Sequence, residues 1–218
     1  MSLLILILDW GPTLFLPAAY CAGAIFYFLP RARMWPARET FLALAWAVLG
    51  GRLFYAALAS VGQFFLWTEN DLTKMLLTLP AGDKAQTLLS AIPHLTESSF
   101  GYFLVYSWGR FWLNPLLTIL VAAAFYLFLR ILKRRNARFF DEGETELGFF
   151  AALIAGWPGF VVFLPLVFAA VVFASLARLI ALREALTTLG VPLLLAAGIA
   201  LVWGEALISF FDLWALRI

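Results

Sequence analysis

Arg52 stands where an arginine is expensive. It lies twelve residues into an apolar run that begins at Thr40, between Gly50-Gly51 and Leu53-Phe54-Tyr55. A guanidinium at membrane depth costs at least about 2.5–3.5 kcal/mol on insertion scales, so the residue needs a reason to be there. Its planar fork of donors suits a phosphate or a carboxylate. The competing reading is a structural arginine paired with an acid or with helix-end carbonyls. Arg110 and Asn114 are spaced four residues apart, as on one face of a helix, where they could share a polar ligand. The alternative there is an interfacial elbow over 109–115, with Trp108 and Trp112 at headgroup level. Glu205 and Asp212, seven apart, fall on one face of the last apolar run, and Glu205 is a candidate partner for a buried arginine. The acidic patch Asp141-Glu142-Gly143-Glu144-Thr145-Glu146 offers one carboxylate of the pair that an aspartyl protease needs. Asp9, Glu205 and Asp212 are the candidates for the other. The simpler reading of the patch is a solvated loop that balances the basic run 133–138.

Counts exclude much other chemistry. His94, the single histidine, follows Pro93 in a polar stretch and is expected to be exposed; Cys21, the single cysteine, lies in the first apolar run. A His-rich metal site, a pair of His bases and an intramolecular disulfide are therefore ruled out. The sequence contains no Gly-Xaa-Ser-Xaa-Gly elbow, His-Glu-Xaa-Xaa-His pair, P-loop or Cys-Xaa-Xaa-Cys. No metal and no cofactor are expected. Lys and Arg number 15 against 13 Asp and Glu, a net charge of +2 set in short clusters between apolar runs, so nucleic acid is not an expected partner.

The elements that must position these residues are membrane helices. The chain has 218 residues, 64% hydrophobic and 13% charged, with a mean hydropathy of +0.96; an ordinary soluble domain carries about 25% charged residues. Apolar runs cover 3–30, with the span proper starting near Pro12, then 40–67, 100–132, 146–180 and 186–216. A spanning helix takes about 20 residues. The overlong runs are interrupted by Asn114-Pro115, by Trp157-Pro158-Gly159 and Pro165, and by Gly190, Pro192 and Gly204. The prediction is an all-α, polytopic integral membrane helix bundle with about six spans and broken helices, a single multi-pass domain over 1–218. Breaks at membrane depth require protein or trapped water to satisfy the freed backbone groups. Residues 68–98 form an expected extramembrane loop with short interfacial helices. The basic loops 31–38 and 130–138 are expected on the cytoplasmic side, which puts the N-terminus outside. Arg178 and Arg183 lie outside if 146–180 spans once and inside if Pro158 marks a hairpin.

The stretch from Gly11-Pro12-Thr13-Leu14 through Tyr20, then Arg31-Ala32-Arg33, then Phe41 onward to Leu49-Gly50-Gly51-Arg52-Leu53-Phe54-Tyr55, resembles the N-terminal part of the prolipoprotein diacylglyceryl transferases. In that family a Gly-Pro, a Tyr early in the first span, a basic loop and a Gly-Xaa-Arg-Leu-Xaa-Tyr segment follow in this order. The resemblance implies a phosphatidylglycerol-like phospholipid bound near Arg52, with Tyr20 on its path, in a prokaryotic plasma membrane; only these two residues match the family cleanly, and Arg110 and Asn114 stand as further binding candidates from their spacing. The implied reaction moves a diacylglyceryl group to the thiol of a lipoprotein signal cysteine, which makes a lipoprotein signal peptide the second partner. The catalytic residue is unknown: Ser98-Ser99-Phe100-Gly101 lacks the His of the family signature, and in Gly109-Arg110-Phe111-Trp112-Leu113-Asn114 the Asn is displaced by one position. A catalytically lapsed, lipid-binding relative is implied alongside an enzyme. A rival resemblance lies in the C-terminal half. Gly143-Glu144-Thr145-Glu146-Leu147, followed by Ala151-Ala152-Leu153 and Gly156-Trp157, is similar to the Gly-Asp-Xaa-Lys-Leu helix of the type IV prepilin peptidases, and 192–205 to their last span. Glu144 then takes the place of the catalytic Asp. A third class, a transporter or structural membrane protein, would pair Arg52 with Glu205 or Asp212 and leave no cavity.

Overall fold

A computed structural model describes residues 2–29, 36–80, 100–135, 140–182 and 188–216. The ordered elements among them are all helical: α1 (Ser2–Phe28), α2 (Ala37–Glu69), α3 (Asp71–Leu76), α4 (Gly101–Ser107), a π turn (Trp108–Trp112), α5 (Leu113–Arg135), α6 (Glu144–Ala155), α7 (Phe160–Leu182), α8 (Gly190–Phe210) and a 3-10 turn (Trp214–Leu216). Helices are the expected solution, because in hydrocarbon each apolar segment must bond its own backbone. Among the described residues, four segments are long and apolar enough to cross a membrane: Ala37–Glu69, Gly101–Arg135, Phe160–Ile180 and Gly190–Phe210; Thr13–Phe28 is a shorter apolar stretch. The protein is thus an all-α helix bundle of membrane type. Helix α6, with 12 residues, reaches about 18 Å, well short of the roughly 30 Å hydrocarbon layer. Helix α1 begins at Ser2, so Asp9-Trp10-Gly11-Pro12 lies inside a helix rather than ahead of one; the apolar residues before it extend the helix backwards.

The chain forms two compact units. The first comprises 1–11, 52–115 and residue 218. Rings hold it together: Trp67, near the end of α2, lies 5.4 Å from Phe103 and 5.0 Å from Tyr106 between ring centres, and Phe64 lies 5.6 Å from Phe103. One polar knot joins the same helices. The Ser60 hydroxyl accepts from Ser107 Oγ at 2.8 Å and from Trp112 Nε1 at 3.1 Å, and donates to the Ala56 carbonyl at 2.8 Å. Together these contacts run α2 antiparallel to α4 and the π turn. Helix α3 starts on Asn70, whose side chain accepts from the Leu72 N–H, and it exposes Leu72 and Met75.

The second unit comprises 12–51 and 116–217. Its core is built on α6, of which ten of twelve residues are buried. Phe41, Ala45 and Val48 of α2, Phe125 and Leu129 of α5, and Leu193 and Ala197 of α8 surround Leu147, Phe150 and Leu153. A helix apolar on every side belongs inside a core. Helix α6 stops at Gly156, whose φ of 60° favours glycine, and the chain reverses through Trp157-Pro158-Gly159 into α7. The Trp157 N–H freed by this turn donates to the buried Thr118 Oγ1 of α5 at 2.8 Å, and the indole N–H donates to the Leu216 carbonyl at 3.0 Å. Protein therefore satisfies the break, as the hydrocarbon setting demands. The stretch 146–180 is a hairpin turning at Pro158. Its returning arm carries Arg178 back to the end where α6 starts, close enough to act electrostatically on Tyr27 of α1.

Candidate functional site

Several helix ends of the second unit meet around Glu144 and Glu146. Gly143 sets up the meeting: its φ is 83°, and a Cβ there would lie 2.9 Å from the backbone of Ala37 and Arg38 at the start of α2. Only glycine serves such a left-handed, crowded position without strain. The turn aims Glu144, 1% exposed, at the start of α8. Its Oε1 accepts from the Gly190 N–H at 2.6 Å, and its Oε2 accepts from the Leu189 N–H at 3.3 Å and the Asp141 N–H at 3.0 Å. The first N–H groups of a helix lack intrahelical acceptors and form its positive pole, so this carboxylate caps α8 while closing the turn into α6. Burial pushes the Glu144 carboxyl above its ordinary value of 4.5; the three backbone N–H groups pull the other way, and the Asp141 charge adds to the rise.

Glu146 is also buried. Its Oε1 receives Arg38 Nε at 3.3 Å and the Tyr126 hydroxyl at 3.4 Å, and its Oε2 receives the Thr145 hydroxyl at 2.8 Å. Arg130, one helical turn beyond Tyr126 on α5, holds its guanidinium carbon 5.4 Å from the Tyr126 ring centre. The expectation of a solvated acidic loop is therefore corrected for Glu144, Thr145 and Glu146. Backbone donors, hydroxyls and one arginine take the place of water there, while Asp141 and Glu142 remain exposed. The sequence did hold a signal: Gly-Glu-Xaa-Glu stands directly before a run with no polar residue to make a wet helix face.

The residues singled out from the sequence divide between the units. Tyr20 belongs to the second. Its hydroxyl donates to the Leu194 carbonyl at 3.1 Å and packs so closely over Gly198 that a Cβ there would lie 2.5 Å away. It also edges an apolar cleft of about 620 Å³ between α1 and α8, lined by Thr13, Pro17, Cys21, Leu195 and Trp203 among others. Arg52, Arg110 and Asn114 belong to the first unit. Arg52 is partly buried on α2. Arg110 is exposed, whereas the Asn114 Oδ1 is buried with no hydrogen-bond partner among the described residues. Pro115 has no N–H and its ring crowds the preceding turn, where the helix widens to a π turn with the Leu113 N–H bonded to the Trp108 carbonyl. Glu205 is exposed on α8, and Asp212 lies beyond the helix end at φ 54°. They share no helix face, because α8 stops at Phe210. His94, Ser98, Ser99, Arg31, Arg33, Arg138 and Arg183 lie outside the described residues, as does the side chain of Asp9.

Compared with known proteins, the chain matches no family model, no curated protein and no solved structure.

Proposed function

We propose that this chain is a phospholipid-binding membrane protein, a divergent relative of the prolipoprotein diacylglyceryl transferases, in which Arg52 takes the headgroup phosphate. The observation that carries this reading is the Asn114 carboxamide oxygen, buried in the same unit as Arg52 without a donor among the described residues. Such an orphaned acceptor costs about 1–3 kcal/mol. A headgroup that brings hydroxyls as well as a phosphate, as phosphatidylglycerol does, supplies the donor, while a guanidinium suits the phosphate. The π turn beside Asn114 is the place for the helix to open to a headgroup, since such turns are weak points in the α-helical ladder. Native mass spectrometry of the detergent-purified protein tests this. Wild type should retain phosphatidylglycerol, and Arg52→Ala and Asn114→Leu should each retain one lipid fewer while keeping the wild-type melting temperature. No retained anionic lipid in wild type, or equal retention in all three, sinks the reading.

A second reading is favoured by Glu144. The Glu144 carboxylate ties Gly143–Leu147, one of the two segments similar to the prepilin peptidases, to the Leu189 and Gly190 N–H groups just ahead of the other, 192–205. Because that carboxylate is engaged by three N–H groups, this reading makes the second unit a lapsed protease scaffold with Glu144 as a clamp. Cleavage of a prepilin-type signal peptide by wild type, abolished in Glu144→Gln, would restore a proteolytic role.

A further inference from the structure

We propose a second anionic-headgroup site at the basic end of the second unit, where the guanidiniums of Arg38 and Arg130 flank the Tyr126–Glu146 pair and receive the phosphate of an anionic phospholipid. It is independent of the Arg52 site. Arg38 spends Nε on Glu146, which leaves Nη1 and Nη2 without a protein acceptor among the described residues, on a side chain 61% exposed. Arg130 is exposed, rests on the Tyr126 ring and makes no ion pair among the described residues. The Tyr126 hydroxyl and Arg38 Nε bind the same Glu146 oxygen, so both arginines approach one phenol–carboxylate pair. At this pair two guanidiniums meet one carboxylate.

The rest of the helix end adds to it. Lys133, Arg134 and Arg135 follow in the last turn of α5, a helix with no acid anywhere along it. A helix C-terminus carries only about half a negative charge, so four cations exceed what the end itself attracts. All of this lies at the ends of the apolar segments Ala37–Glu69 and Gly101–Arg135, the part of a spanning helix where basic residues meet headgroups. Ordinary flanking cations are long, mobile and hydrated. Here one guanidinium is held by a ring and the other by an ion pair, so little freedom is lost when a phosphate docks. The fork geometry of arginine matches the phosphate oxygens.

The test is native mass spectrometry of the delipidated protein titrated separately with phosphatidylglycerol, phosphatidylcholine and inorganic phosphate. Wild type should prefer phosphatidylglycerol to phosphatidylcholine. Arg130→Gln should weaken the preferred lipid about fivefold, the weight of roughly 1 kcal/mol that a basic residue carries at an anionic membrane surface. Arg38→Gln should do the same; because it also removes the partner of Glu146, Arg130→Gln is the deciding variant. Arg130→Lys should recover part of the loss. Wild-type affinity in Arg130→Gln, or equal binding of the two lipids, overturns the proposal. Inorganic phosphate binding as tightly as phosphatidylglycerol would also overturn it, by making free phosphate the ligand. Repeating the titration in Arg52→Ala separates the sites: the Arg130→Gln loss persists there whether or not Arg52 holds a lipid of its own.

Discussion

Glu144 turns a costly burial into a joint between two helices. Removing its acceptors strands three backbone N–H groups, each worth about 1–3 kcal/mol when buried without a partner. Glu144→Leu should therefore destabilise the protein by several kcal/mol and Glu144→Gln by less, since one carbonyl oxygen remains; thermal unfolding in detergent measures the order. The pH dependence has a sign as well. Burial raises the Glu144 carboxyl above its unfolded value of 4.5, so its contribution is fully present below that value and is lost as pH rises through the raised one. Glu144→Gln should flatten that decline in a series of melts taken from mildly acid to neutral pH. Arg52 shows the opposite balance of sequence and structure. Its position inside an apolar run announced it, whereas Glu144 looked like part of a wet loop, because it stands in an acidic patch whose first members, Asp141 and Glu142, are wet.

At the scale of elements, two features hold the second unit in its arrangement. Gly143 lets the start of α6 meet the backbone at the start of α2. Gly143→Ala should cost about 1–2 kcal/mol for the left-handed backbone alone, and more because Ala37 and Arg38 present backbone atoms that cannot rotate away; a lowered melting temperature is the readout. The turn between α6 and α7 depends on Thr118 as acceptor for the Trp157 N–H. Thr118→Val, nearly isosteric, should lower stability by about 1–3 kcal/mol, and Thr118→Ser should restore most of it. The need for such a partner followed from Trp157-Pro158-Gly159 in an apolar run. Its identity did not, because Thr118 lies 39 residues away and pairing at that distance is a product of packing. The π turn was equally hidden: Asn114-Pro115 marked a disturbance, but whether a proline kinks, breaks or widens a helix depends on the neighbouring contacts.

Across the whole molecule, the hairpin at Pro158 makes a topological prediction. Cysteines placed at Arg134 and Arg178, in a Cys21→Ser background, should both react with an impermeant thiol reagent from the same side of sealed vesicles. Reaction from opposite sides would mean that 146–180 crosses once. Sequence by itself determined the class of the protein. Apolar runs near bilayer length and few charges leave helices as the form in which each segment bonds its own backbone, and this needs no knowledge of neighbours. Sequence also flagged Arg52, because a charge among apolar residues is conspicuous within a single segment. Tertiary structure alone decided that α6 is a buried half-length helix, which donors keep Glu144 and Glu146 dry, and that a π turn precedes Asn114. Each of those outcomes depends on which helix ends meet, and meetings between residues far apart in the chain are fixed by packing.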